Sequence, residues 1–77
     1  MAQEVRLEKL GPSMTEGLIV AWLKRPGERV TKGEPLFQVE TDKAVTEVEA
    51  PADGVLERIV RGEGTRVPVG DIVATIT

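Results

Sequence analysis

Glu40-Thr41-Asp42-Lys43-Ala44 is the stretch on which the reading of this chain turns. Leu36-Phe37-Gln38-Val39 runs into it and Val45-Thr46-Glu47-Val48 runs out of it. Two short stretches of this composition around a polar pair predict a β-hairpin. The reversal falls at Asp42 and Lys43. An aspartate at the start of a turn can hydrogen-bond its own backbone and tolerates unusual dihedrals. Lys43 is therefore expected at the tip, in water, on a short and stiff mount.

Outward from the hairpin, turn signals and short apolar runs alternate. Val5-Arg6-Leu7-Glu8 alternates apolar and polar, the pattern of a half-buried strand. Gly11-Pro12-Ser13 marks a loop. Leu18 to Leu23 is short and rich in β-branched and aromatic side chains, which favours strand. Pro26-Gly27 ends it, and Lys32-Gly33-Glu34-Pro35 is a second turn. On the far side come a loop at Ala50-Pro51-Ala52-Asp53-Gly54 and a strand from Val55 to Val60. Turns follow at Gly62-Glu63-Gly64 and Val69-Gly70-Asp71, with a last strand over Ile72-Val73-Ala74-Thr75-Ile76. Glycine and proline recur every few residues and leave little room for a helix. The fold is predicted to be all-β.

At 77 residues the chain is one domain, residues 1–77. A domain of this size buries only about 60% of the surface of its unfolded chain. Cysteine and histidine are both absent. That removes disulfides and thiolate metal sites, and with them the commonest general base and metal ligand. No metal site is expected. The net charge is −3 and the only aromatics are Trp22 and Phe37. A nucleic-acid binder would carry a basic face and stacking aromatics. The longest apolar runs fall far short of the ~20 residues that span a bilayer. Met1-Ala2-Gln3-Glu4 starts no signal peptide. The expectation is a soluble, cytoplasmic domain of bacterial type, monomeric when isolated. With no obvious catalytic pair in the chain, it is expected not to be an enzyme by itself.

The turns also repeat. An offset of 37 places Gly17 on Gly54, Gly27 on Gly64, Arg29 on Arg66, Val30 on Val67 and Gly33 on Gly70. Trp22 then falls on Ile59, Lys24 on Arg61, Glu34 on Asp71 and Val39 on Ile76. Matched glycines mark places where the backbone needs φ > 0 or a close approach. Two copies with the same turns predict one supersecondary unit made twice, the copies packing face to face about a pseudo-twofold axis. The fold class expected is a flattened β-barrel or sandwich of two small antiparallel sheets. Under the same offset Arg6 is the mate of Lys43. Both chain ends are expected together, at the end of the domain opposite that lysine.

A lysine in a turn is usually only solvated, and Lys9, Lys24 and Lys32 fit that description. Lys43 differs in lying at the centre of the repeat, on a long hairpin, among Glu40, Asp42, Glu47 and Glu49. Opposite charge favours the protonated amine there. Trp22, paired with Ile59 in the repeat, reads as core. Arg29 and Arg66 read as ties between turns.

Glu40-Thr41-Asp42-Lys43-Ala44, flanked by Gly27 and Gly54, resembles the lipoyl-attachment motif of the lipoyl domains found in the acyltransferase component of 2-oxo acid dehydrogenase complexes. Gly11-Pro12-Ser13-Met14-Thr15-Glu16-Gly17 and Val48-Glu49-Ala50-Pro51-Ala52-Asp53-Gly54 resemble that family too, and the similarity runs from Val5 to Ile76. The resemblance implies that the Lys43 ε-amine carries lipoic acid in amide linkage, which removes the lysine charge. The resulting arm would take an acyl group and two electrons at a thiamine-diphosphate-dependent dehydrogenase component. It would pass the acyl group to coenzyme A at the acyltransferase core and be reoxidised by dihydrolipoamide dehydrogenase. A lipoate ligase or lipoyl transferase would recognise the hairpin, with Glu40 and Gly54 implicated. Asp42 and Ala44 would matter more to the dehydrogenase, which would read the loop from Gly11 to Glu16. The resemblance also implies a longer multidomain acyltransferase as parent, weakly of pyruvate or acetoin type.

Two alternatives stay open. A biotinyl carrier has a similar fold, but in that family methionines flank the lysine, whereas Asp42 and Ala44 flank it here. A pure interaction module would leave the lysine unmodified.

Overall fold

The computed structural model describes residues 2–41 and 44–77. Eight strands follow in chain order: β1 (Gln3–Arg6), β2 (Glu16–Trp22), β3 (Arg29–Val30), β4 (Pro35–Glu40), β5 (Val45–Glu49), β6 (Gly54–Ile59), β7 (Arg66–Pro68) and β8 (Ile72–Ile76). They form two antiparallel four-stranded sheets, ordered β1-β8-β6-β3 and β5-β4-β2-β7. The all-β fold expected from the turn spacing is the fold observed, a barrel-sandwich.

β3 and β7 were not legible as strands. At two and three residues they are too short for alternation to show. They are repeat mates, as Arg29 and Arg66 are, and close the far edge of each sheet.

The repeat is exact in its irregularities. In β2 the pairing skips Val20, and in β6 it skips the mate of Val20, Glu57. Leu36 is skipped in β4 and its mate Val73 in β8. Each extra residue bends its strand and sharpens the twist, which curls a flat ribbon toward a barrel. The turn glycines agree: Gly33 and Gly70 have φ of 92° and 96°, a region where a β-carbon is costly.

The structure corrects two expectations. First, the offset of 37 does not extend to the chain start. Leu7 donates to Asp71 O and accepts from Gly70, while Ala50 donates to Glu34 O and accepts from Gly33. Leu7 is thus the mate of Ala50, and Val5 of Val48, an offset of 43. The difference is an insertion: nine residues, 8–16, separate Leu7 from Gly17, against three, 51–53, between Ala50 and Gly54. Arg6 is therefore the counterpart of Glu49, and Lys43 has no counterpart inside the chain. Second, the copies do not stack as one sheet each. Each sheet takes two strands from either copy, because consecutive strands swap sheets at the turns. The copies interlock.

The core between the sheets is built from both: Val5, Leu7, Ile19, Val30, Leu36, Phe37, Val39, Leu56, Val67, Val73, Ala74 and Ile76 are all buried. Burying an aliphatic or aromatic side chain contributes roughly 1.5–3 kcal/mol, and with no cysteine in the chain there are no disulfides to add to it. Trp22 is only half-buried. It packs on Phe37, with ring centroids 4.8 Å apart, and its indole N–H donates to Arg61 O at 2.8 Å. The polar edge of the ring is thus satisfied at the core boundary.

Gln3 pairs with Ile76, so the two chain ends lie side by side, as expected. The pseudo-twofold exchanges this place with the Glu40–Val45 turn.

Candidate functional site at the β4–β5 turn

β4 and β5 pair in register as far as Glu40 and Val45. One step further, the Thr41 amide donates to Ala44 O at 2.9 Å, and the Thr41 hydroxyl lies 3.4 Å from the same oxygen. The strands are clamped together up to the last residue on each side, leaving a two-residue connection. Those two residues, Asp42 and Lys43, lie outside the described residues. Their frame does not. Glu40, Ala44 and Val45 are exposed and Thr41 is half-buried. A threonine that holds the far carbonyl with both its amide and its hydroxyl suits the narrow end of a hairpin.

One strand inward, Leu18 of β2 pairs with Glu40, and Arg66 of β7 pairs with Leu18. Arg66 reaches Glu16 at 3.3 Å. Together Thr15, Glu16, Leu18, Glu40, Thr41 and Arg66 line a polar recess of about 390 Å³ beside the turn. The chemistry next to the turn therefore includes Glu16, Leu18 and Arg66, which sequence reasoning did not connect with it. Only the register across β2 and β7 brings them there. The repeat predicts Arg66 as a tie between turns; its contact with Glu16 joins two strands, β7 and β2. Arg29 has no side-chain partner among the described residues.

A larger recess, about 540 Å³, opens between the edges of β1 and β5, lined by Glu4, Arg6, Glu47 and Glu49 among others. These residues are repeat mates of one another, so this recess is where the twofold passes. It does not reach the turn.

Of the residues singled out in the sequence, Glu40 and Ala44 belong to the frame. Gly54 does not adjoin it. It starts β6 in the other sheet, at φ 155°, where an added β-carbon would stand 2.5 Å from Thr77 O and 2.7 Å from Ile76 Cγ2. The glycine beside the frame is its mate Gly17, whose β-carbon would meet Val39 Cγ2 at 2.5 Å. The inserted loop closes over Gly17. The Leu10 amide lies 3.2 Å from Met14 Sδ, and Met14 packs on the core.

Comparison with known proteins agrees with this geometry. Residues 3–76 match the family model Biotin_lipoyl, described as biotin-requiring enzyme. The chain is 47% identical over 73 residues to the dihydrolipoyllysine-residue acetyltransferase component 3 of the pyruvate dehydrogenase complex of Arabidopsis thaliana, covering 94% of this chain and 14% of that protein. It is 42% identical over 74 residues to the dihydrolipoyllysine-residue succinyltransferase component of the 2-oxoglutarate dehydrogenase complex of Bacillus subtilis, covering 96% and 18%. The chain thus spans less than a fifth of the length of these relatives. Among solved structures, the lipoyl domain of the 2-oxoglutarate dehydrogenase complex of Azotobacter vinelandii superimposes with a TM-score of 0.78 at 38% identity, covering 96% of this chain and 94% of that one. The Kluyveromyces lactis urea carboxylase gives a TM-score of 0.84 at 25% identity, covering 100% of this chain and 6% of that one. The two superpositions are of similar quality, whereas identity is higher to the lipoyl domain. The chain belongs to the family of biotinyl and lipoyl attachment domains, and within it to the lipoyl domains.

Proposed function

We propose that this domain is the lipoyl carrier of a 2-oxo acid dehydrogenase complex, with lipoic acid joined to the ε-amine of Lys43. The observation that carries the reading is the turn frame. The chain places one lysine within a two-residue connection whose flanks, Thr41 and Ala44, are hydrogen-bonded to each other. The frame suits such a group: Glu40, Ala44 and Val45 stand in solvent. Once attached, the lipoyl group supplies a dithiolane able to take up an acyl group and two electrons. The protein supplies presentation. The β4–β5 ladder and the Thr41 clamp hold the two flanks of the attachment point together. The chain has no cysteine, so it cannot capture the group in a mixed disulfide. Tethering replaces diffusion with a high effective concentration at each enzyme visited.

The partners proposed are the thiamine-diphosphate-dependent dehydrogenase, the acyltransferase core, dihydrolipoamide dehydrogenase and the attaching ligase or transferase. Glu40, Asp42 and Ala44 are proposed as recognition residues around Lys43. Gly54 is proposed to act indirectly, by holding β6 against the chain end.

Expression with lipoate supplied, followed by intact mass measurement, tests the reading. The expected result is a mass increase of one lipoyl group, lost in Lys43→Arg with the fold unchanged. A biotinyl increase, or none in the presence of active ligase, overturns it.

A further inference from the structure

The inserted loop has no equivalent in the second copy, so what holds it in place is not set by the repeat. Its anchorage is narrow. Of residues 8–14, Leu10 is 42% exposed, and Glu8, Lys9, Pro12 and Ser13 stand in solvent as well. Met14 is half-buried and is the one side chain of that stretch packed on the core. The Leu10 amide donates to Met14 Sδ at 3.2 Å, and the Met14 amide donates to Gly11 O at 3.2 Å. Both bonds are internal to the loop. The backbone is next tied to the barrel only past Met14, where the Val69 amide donates to Thr15 O at 3.0 Å.

Gly17 makes the seat for this side chain. A β-carbon built there would lie 3.2 Å from Met14 Cε and 3.5 Å from Leu7 Cδ2, besides its clash with Val39. The missing side chain leaves a notch, and the Met14 methyl fills it alongside Leu7 and Val39. In the second copy the equivalent Gly54 is met by Ile76 and by the Thr77 backbone. The fold itself therefore does not call for sulfur at such a notch.

Sulfur is what the plug adds. The chain has no cysteine, and its methionines are Met1 and Met14. A thioether is apolar and flexible, whereas its sulfoxide is polar and larger at the sulfur. One lone pair of Met14 Sδ already faces the Leu10 amide, so an oxygen placed there has to displace that N–H. On either lone pair the oxygen makes the plug polar, and burial of a polar group without a partner is unfavourable.

We propose that Met14 is an oxidation site, converted to methionine sulfoxide by hydrogen peroxide or an alkyl hydroperoxide, and that the conversion unseats the inserted loop from the barrel. The sulfur attacks the peroxide, and the O–O bond breaks as the S–O bond forms. The sulfur gives up two electrons, and the peroxide is reduced to water or an alcohol. Methionine sulfoxide reductases reverse the step, the oxygen leaving as water while two thiols become a disulfide. The site is independent of whatever Lys43 carries.

The test treats the folded domain with dilute hydrogen peroxide; digestion and mass measurement then separate Met14 from Met1. The expected result is one oxygen on Met14, removed by the two epimer-specific reductases together. In the oxidised domain the Leu10 amide should exchange with deuterium tenfold or more faster than in the untreated one. The Val60 amide, which donates to Val73 O, should stay within twofold. Met14→Leu keeps an apolar plug without the oxidisable sulfur, so peroxide should leave its Leu7 and Val39 methyl signals unmoved. Met14→Gln should reproduce the fast Leu10 exchange with no peroxide added. Met14 left unoxidised while Met1 is fully converted overturns the site. A Leu10 rate within twofold of the untreated domain overturns the release of the loop. Val60 exchange rising in step with Leu10 overturns it too, because the whole domain rather than the loop would then be opening. Should Met14→Gln fail to fold, the oxidised parent domain decides.

Discussion

The two sheets share strand order, bulges and turn hydrogen bonds, yet differ in what fills them and in what they show to water. Inside, Phe37 stands where the other copy has Ala74, and Trp22 where it has Ile59. Outside, Val20 and Ala21 stand where it has Glu57 and Arg58. The backbone plan thus tolerates wide variation at matched places. What it keeps constant is where the chain bends and turns, so those positions carry the fold and the others are free to carry function.

The sharpest way to break this comparison is Phe37→Ala, which makes one copy resemble the other at that site. Ala74 is already accommodated by its surroundings, whereas Phe37 fills space that would stay empty. The expected loss is about 3–5 kcal/mol. A chain of this size has only about 4–12 kcal/mol in total. Urea titration should show most of the stability gone, and a loss below about 1 kcal/mol would mean that the copies repack freely.

Next come the two close-approach glycines. Both Gly17→Ala and Gly54→Ala overpack their sites, at about 1–3 kcal/mol each. Gly54→Ala should cost more, because its new methyl meets the Thr77 carbonyl oxygen, whereas Gly17→Ala meets the Val39 side chain. Thermal melts of the pair check the order, and a reversed order would show that the Val39 rotamer is locked.

Smaller still are the matched ion pairs, Lys24–Glu34 at 3.5 Å and Arg61–Asp71 at 3.3 Å. Both are substantially solvated, so double-mutant cycles should return about 0.2–1 kcal/mol for each. A much larger value for one would break the equivalence.

The smallest effect is on pH. Glu34 accepts from the Thr31 amide at 2.7 Å. That backbone hydrogen bond, helped by Lys24, holds its carboxyl below the ordinary value of 4.5 against a weaker opposing effect of desolvation. A depressed folded-state pKa contributes stability that is complete above the unfolded value and is lost as pH falls through the folded one. Acid titration of stability should therefore fall below about pH 4.5, and Glu34→Gln should flatten that part of the curve. An unchanged acid limb would show that the Thr31 contact does not persist in solution.

Much of this was legible in the sequence. Alternation and Gly–Pro punctuation revealed the six longer strands and the hairpin, and matched glycines revealed the repeat. β3 and β7 were hidden because two or three residues carry no period. The inserted loop was hidden because a single offset cannot register a length change. It took the hydrogen bonds of Leu7 and Ala50 to show that Val5 corresponds to Val48, and Arg6 to Glu49 rather than to Lys43. The neighbours of the turn were hidden for another reason. Glu16, Leu18 and Arg66 reach it through pairing across three strands, and side-chain partners 50 residues apart, as Arg66 and Glu16 are, leave no trace in local pattern.

The interlocked copies have a bearing on descent. Half of this chain would supply two strands to each sheet and leave the inner edges open, so it would close only against a twin. The domain keeps the shape of a homodimer whose subunits have been fused at one corner. That fused corner, absent from any unlinked pair, is the stretch of sequence that contains Lys43.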